Sequence, residues 1–210
     1  MTSVINKPTE TKPRGRPRGF DRNDVLAAAG MTFWRLGYEG ASITDLTEAM
    51  GITPQSLYAA FKSKSALYQD VLDWYQAEVG AFTARALEKE PTAVAAFTRI
   101  LRESAREFTR PGRPRGCMIS TAILTCSSEN KAIAEQVAGL RGATLAAFRK
   151  RIDVGMSNGE WKRGTNARAL ARYLGAIIQG MSVQAQDGAS KADLLGIAEL
   201  AIGELARHQR

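Results

Sequence analysis

Residues Ser42–Lys64 read SITDLTEAMGITPQSLYAAFKSK, and the fold of the chain is decided there. Ser42 followed three residues later by Asp45 has the form of a capping box with a carboxylate at its third position. Ile43, Leu46 and Met50 then recur at helical spacing and give one apolar face. Gly51 falls where a helix ends in the left-handed conformation that only glycine adopts cheaply. Thr53-Pro54 restarts the chain, with Thr53 as N-cap and Pro54 at the first helical position. In the second helix Leu57 and Phe61 face inward, whereas Gln55, Ser56 and Tyr58 point elsewhere. Two short helices across a glycine-containing turn make a helix-turn-helix, whose second helix enters a DNA major groove.

Working outward, the helix before this unit starts at Asp21 with Asp24 near its beginning. It buries Val25, Leu26, Ala29, Phe33 and Leu36, and Gly37 closes it. After the unit, Ser63 caps a long helix carrying Leu67, Val71, Trp74, Tyr75 and Phe82 to about Lys89. Pro91 opens a helix with Val94, Phe97, Leu101 and Phe108 inward, ending before Pro111. Residues 117–125 form a short apolar segment. Ser128 starts a long helix stopped by Asn158-Gly159, a penultimate helix runs from Asn166 to Gln186, and Ser190 with Asp193 caps the last, to about His208. No alternating strand pattern appears, so the chain reads as all-α. The domains expected are an arm over 1–20, a reader over 21–66 and a helical domain over 67–210. Gly139, Gly142, Gly175 and Gly180, all inside helices, read as sites of close helix packing.

The run DVLAAAGMTFWRLGYEG at Asp24–Gly40, then Ser42-Ile43-Thr44-Asp45-Leu46, Gly51-Ile52-Thr53 and Leu57–Leu67, resembles the tetracycline-repressor (TetR/AcrR) family of bacterial transcriptional regulators. The resemblance covers the first third of the chain; the rest matches in helical pattern and length. Ala59 and Ala60 stand where members often carry aromatic or histidine side chains, so the backbone contacts sometimes made there do not carry over. The resemblance implies a dimer on a palindromic operator, and a helical domain that encloses a small, largely apolar effector and shifts the spacing of the two readers.

Charge agrees with a polyanionic partner. The 210 residues carry a formal net charge of +8 and a pI near 9.8. The first twenty residues hold Lys7, Lys12, Arg14, Arg16 and Arg18 against Glu10 alone, in a polar stretch without periodicity. Pro13-Arg14-Gly15-Arg16-Pro17 matches the AT-hook core. Its glycine avoids the groove floor, and its arginines suit the narrow minor groove of A·T-rich DNA. The alternative is a basic tail that adds only non-specific attraction. The second copy, Gly112-Arg113-Pro114-Arg115-Gly116, lies between helices and reads as an exposed connection.

The side chains assigned to DNA are Arg14, Arg16 and Arg18 of the arm and Ser42, Thr53, Pro54, Gln55, Ser56, Tyr58, Lys62 and Lys64 of the reader. Gln55 is suited to pair with adenine, and Tyr58 and Lys64 to hold phosphates. The last two helices have more apolar residues than one face uses, so Tyr173, Ile177, Met181, Leu194, Ile197, Ala201 and Leu205 are candidates for a homodimer interface. For the effector, size and apolar placement nominate Trp74, Phe97, Phe108, Met118, Phe148, Trp161 and Ile177, each of which also suits plain core. Cys117, beside Arg113 and Arg115, reads either as a sensor thiol or as a small buried packing residue.

Other classes fare worse. The only histidine is His208, two residues from the end, and the chain has no H-E-x-x-H, Cys-x-x-Cys, P-loop or G-x-S-x-G, so no enzyme, metal site or cofactor is expected. No apolar run is long enough to span a bilayer, and Cys117 and Cys126 form no disulfide framework, which fits a reducing cytoplasm. A ligand-independent architectural binder of A·T-rich DNA remains an alternative; the large helical domain speaks against it.

Overall fold

A computed structural model describes residues 21–210, so the arm with Arg14, Arg16 and Arg18 lies outside the described residues. The chain is all-α. The reader comprises α1 (Arg22–Gly40), α2 (Ile43–Met50) and α3 (Pro54–Phe61), followed by α4 (Lys64–Glu78) and α5 (Ala81–Lys89). Then come α6 (Ala93–Glu107), the single turn α7 (Met118–Thr121), α8 (Lys131–Ser157), α9 (Ala167–Gln186) and α10 (Lys191–His208).

Local chemistry sets the helix starts in the reader. Asp21 accepts from Asn23 N–H at 2.8 Å, and Ser42 and Asp45 close a reciprocal capping box. Thr53 and Ser63 accept from Ser56 N–H and Ala66 N–H at 3.1 and 3.0 Å. Gly51 ends α2 at φ 64°, in the left-handed region. Leu46, Leu57, Leu67 and Val71 are fully buried around these turns. Aromatic rings join α1 to α4, with Tyr68 4.8 Å from Phe33 and 5.0 Å from Tyr38 between centroids.

Two hydrophobic cores divide the molecule. One gathers α1–α4 with Met118 and Val137; the other gathers Phe82 through Leu205 from α5, α6, α8, α9 and α10. A boundary at residues 66 and 67 therefore cuts through packing, because Leu67, Val71, Leu72 and Tyr75 of α4 belong to the reader's core.

The structure corrects several sequence expectations. Leu36 is 49% exposed, because the chain leaves its helical path at Gly37 (φ 72°, ψ 172°) and Tyr38 beyond the kink is buried instead. The long helix expected over 63–89 is two helices, broken where the N–H groups of both Val79 and Gly80 reach the Tyr75 carbonyl, at 3.0 and 2.7 Å. Pro91 precedes α6, whose cap is Thr92; the Ala93 N–H also donates to Glu160 Oε2 at 2.7 Å. Of the four helix glycines, only Gly175 is held by close packing, against Leu145. A side chain at Gly139, Gly142 or Gly180 would meet nothing within 4 Å.

The second arginine-glycine copy is docked as well as connecting. Gly116 is buried against α9, where an added Cβ would lie 2.7 Å from the Ser182 carbonyl. Arg115 turns to the C-terminal end of α9, donating to the carbonyls of Ala185, at 2.6 Å, and Ala189.

Candidate functional site

The recognition helix α3 presents Thr53, Pro54, Gln55, Tyr58, Ala59 and, past its end, Lys62 to solvent. Gln55 stands free at its first turn, and Tyr58 is 49% exposed. Two assigned side chains are already engaged. Thr53 Oγ1 lies 2.9 Å from Ser56 Oγ besides capping the helix. Ser42 Oγ donates to Asp45 at 2.5 Å while accepting from the Asp45 N–H. The bonds that the Asp45 carboxylate accepts from the Ser42 hydroxyl and then the Ser42 N–H hold it below its ordinary range. Ser42 and Thr53 thus shape the reader, and Gln55 carries the free donor and acceptor.

Lys62 takes a positive φ of 68° with ψ −41° at the end of α3, uncommon for a residue with a side chain, and Ser63 then caps α4. Lys64 opens α4 with its Nζ 4.7 Å from the centre of the Tyr38 ring. Partial burial lowers its pKa, against the opposing charges of Glu39 and Asp45. Glu39 ties this corner to the rest of the protein. Its Oε1 accepts from Asn130 Nδ2 at 2.7 Å and from both the N–H and the hydroxyl of Ser127 at 2.9 Å.

On the opposite side of the molecule, the residues nominated for a dimer divide. Met181 of α9 and Leu194, Ala201 and Leu205 of α10 are fully buried inside the single chain, so they are core and not a docking surface; the stripe of the last three packs on α6. Tyr173, Ile177 and Ile197 are half-buried. The open apolar surface is a different one. Leu200 is 79% and Val183 44% exposed, and Gly180, Gly196 and Gly203 leave the backbone uncovered beside them. A groove between Tyr173 and Leu200 continues that surface along α9 and α10.

Between the two cores lies a cavity of about 330 Å³, walled by α4–α9. Of the residues nominated for an effector, Phe108 and Phe148 line it, and so does Cys117. The others do not. Trp74 covers Gly30 in the reader's core, Phe97 packs edge-on behind Phe148 at 5.3 Å, and Trp161 is buried against Gly155. Met118 belongs to the first core, and Ile177 gives way to its neighbour Ile178 on the wall. Sequence reasoning missed Tyr75, Ser104, Arg141 and Leu145. Ser104 carried a signal, a polar residue on the inward face of a helix that otherwise buries Phe97, Ile100, Leu101 and Phe108.

Cys117 sits where the cores meet. Its N–H donates to Ser182 Oγ at 2.7 Å, and the next N–H, of Met118, donates to the Tyr75 hydroxyl at 3.4 Å. Burial, with the Cys117 thiol nearby, pushes Tyr75 well above its ordinary pKa and keeps its hydroxyl protonated. The cations expected to act on the thiol are occupied: Arg113 pairs with Glu107 at 3.1 Å, and Arg115 is turned to α9. Both cysteines are free. No described helix is long and apolar enough to cross a membrane.

Comparison with known proteins gives these features a setting. Residues 25–71 match the model of the bacterial regulatory proteins of the tetR family. The HTH-type transcriptional repressor ComR of Escherichia coli (strain K12) is 34% identical over 188 residues, spanning 89% of this chain and 90% of the relative. The repressor BdcR of the same organism is 27% identical over 192 residues, 91% of this chain and 92% of that one. A cysteine mutant of the TetR family regulator CifR, solved with 26 bp double-strand operator DNA, superposes with a TM-score of 0.86 at 38% identity. That match covers 89% of this chain and 98% of the other. This chain belongs to the TetR family and is a DNA-binding transcriptional regulator, not an enzyme.

Proposed function

We propose that the protein is a homodimeric repressor that binds a palindromic operator and is released from it by a small, mainly apolar effector. The observation that carries this reading is the position of α4. It begins beside the recognition helix at Lys64, and its last turns place Tyr75 and Gln76 on the cavity wall. An effector favours release only if it binds the DNA-incompetent arrangement better than the competent one. The two recognition helices must match one helical turn of DNA or a multiple of it, so a tilt of α4 converts cavity occupancy into operator affinity. Dimerisation rests on the exposed apolar surface around Leu200 and Val183.

Gln55 reads bases, while Tyr58, Lys62 and Lys64 hold phosphates. An operator selected from random duplexes and titrated by fluorescence anisotropy tests this division. Gln55→Ala should relax preference at one or two base pairs, at about 1–3 kcal/mol, and Lys64→Ala should weaken all duplexes alike. Equal losses on operator and random DNA for Gln55→Ala would sink the base-reading role. The arm adds a minor-groove contact through Arg14, Arg16 and Arg18. Deleting residues 1–19 should flatten the salt dependence and cost more on operators flanked by A·T than by G·C; equal losses on both flanks leave a non-specific tail.

A second reading follows from Cys117 on the cavity wall: an electrophilic effector that alkylates the thiol. Cys117→Ser should then abolish the response to electrophiles alone. If no compound changes operator affinity, the protein acts as a ligand-independent binder of A·T-rich DNA.

A further inference from the structure

We propose that the cavity takes an uncharged, mainly apolar molecule bearing one hydrogen-bonding oxygen, of the ketone, ester or alcohol class, and that Ser104 reads that oxygen. The inference rests on the effector reading of the cavity and specifies its ligand.

Ser104 is the reason. It lies in the last turns of α6, is fully buried, lines the cavity, and its Oγ has no hydrogen-bond partner among the described residues. A serine or threonine inside a helix ordinarily folds its hydroxyl back onto the carbonyl three or four residues earlier. Its neighbours do so. Thr109 Oγ1 donates to the Ala105 carbonyl at 2.8 Å, Thr121 to Cys117 at 3.0 Å and Thr144 to Leu140 at 3.1 Å. A buried polar group left unpaired is costly, and alanine would fill this position without that cost. The partner that settles Ser104 is therefore one that comes and goes.

The remaining wall narrows the class. Phe82, Leu87, Phe108, Leu145, Phe148 and Ile178 offer an apolar bed. Among the described residues no aspartate or glutamate lines the cavity, so an ammonium meets no counter-charge from them. The charged lining side chain among them, Arg141, already ties α8 to the α7 segment, its Nη1 donating to the carbonyls of Ile119 and Ala122 at 3.1 and 3.0 Å. A volume of about 330 Å³ sits at the lower end of the roughly 300–1,000 Å³ of ligand pockets, so the molecule is small.

Four probes of nearly equal shape test the class by calorimetric titration of the full chain: 4-phenyl-2-butanone, butylbenzene, 3-phenylpropanoate and the ammonium 4-phenylbutan-2-amine. The ketone should bind about 5-fold more tightly than the hydrocarbon, the scale of one net hydrogen bond, and both ions should bind more weakly than either. Ser104→Ala should bring the ketone down to the hydrocarbon's affinity while leaving hydrocarbon binding intact. Should that variant misfold, Ser104→Cys gives the same comparison through a weaker donor. Ile178→Trp, which fills the cavity, should abolish binding of every probe. The proposal falls if the ketone has no advantage in the wild type, if Ser104→Ala keeps that advantage, if either ion binds best, if binding survives Ile178→Trp, or if no probe binds. Ketone binding with the expected Ser104 dependence but without any change in operator affinity would uphold the ligand class and overturn effector-controlled release.

Discussion

The reader is capped throughout and the cavity wall only in part, since there α4, α6 and α9 carry caps from Ser63, Thr92 and Asn166. Each of α1–α4 begins with a side-chain cap, from Asp21, Ser42, Thr53 and Ser63 in turn. The helices α5, α7 and α8, which supply much of the cavity wall, begin with none. Each missing cap withholds about 1 kcal/mol of local helix stabilisation. The reader keeps its shape through short-range bonds, whereas the wall is held by packing around an empty space and by a few long-range ties such as that from Arg141. A DNA reader must present one geometry, and the proposed sensor must have a second within reach, so the looser anchoring lies where the proposed effector would use it.

The largest expected effect sets the two regions against each other. Leu46 is fully buried between α2 and its neighbours, and Leu46→Ala should cost about 2–5 kcal/mol, read as a lowered denaturant midpoint together with loss of operator binding. Ile178→Ala, at a wall that already faces open space, should cost less than half as much in the same measurement. Equal losses would mean that the wall is as tightly packed as the reader, and the contrast would fail.

The next effect concerns the proposed dimer. Leu200 is the most exposed large apolar side chain described, on a face of α10 kept smooth by Gly196 and Gly203. Leu200→Glu should raise the dimer dissociation constant at least roughly 30-fold, the scale of a hot-spot loss of about 2 kcal/mol. Sedimentation should show this while the monomer's helix content is kept. Leu205→Glu, aimed at the core, should unfold the chain instead. Intact dimers of Leu200→Glu would move the interface elsewhere.

The same contrast explains what the sequence made legible. Caps, the Gly51 turn and the apolar spacing of α1–α4 are local, and they are written in consecutive residues. The break at Val79–Gly80 is invisible to periodicity, because Tyr75 and Phe82 stay in helical register on either side of it. Periodicity also cannot tell a stripe that faces its own chain from one that faces a partner. Leu194, Ala201 and Leu205 form a regular stripe on α10 and, with Met181 of α9, are core; Val183 and Leu200 are exposed. The cavity residues come from five segments distant in sequence, so only folding brings Tyr75, Ser104 and Arg141 to one wall. Size and apolar placement find Phe108 and Phe148, and the same criterion misplaces Phe97.

The smallest effect tests the tie between the two regions. Glu39 leaves the reader and accepts three hydrogen bonds from Ser127 and Asn130, at the entrance to α8. Those bonds, Asn130 first and then Ser127, with the charge of Lys64 adding to them, hold its carboxyl below the ordinary 4.5. A carboxyl lowered in the folded state contributes stability above its unfolded pKa and loses it as pH falls through the folded one. Asp45 and Asp193 are lowered by their capping serines in the same direction, so acid destabilises the protein at several places at once. Those contributions are shared by wild type and Glu39→Gln and cancel in the difference between their melting temperatures. What remains is Glu39 itself: a gap that is constant from neutral pH down to about 5 and closes as the solution becomes more acidic. A gap unchanged down to pH 3 would show that charge at Glu39 contributes nothing to joining the reader to the helical domain.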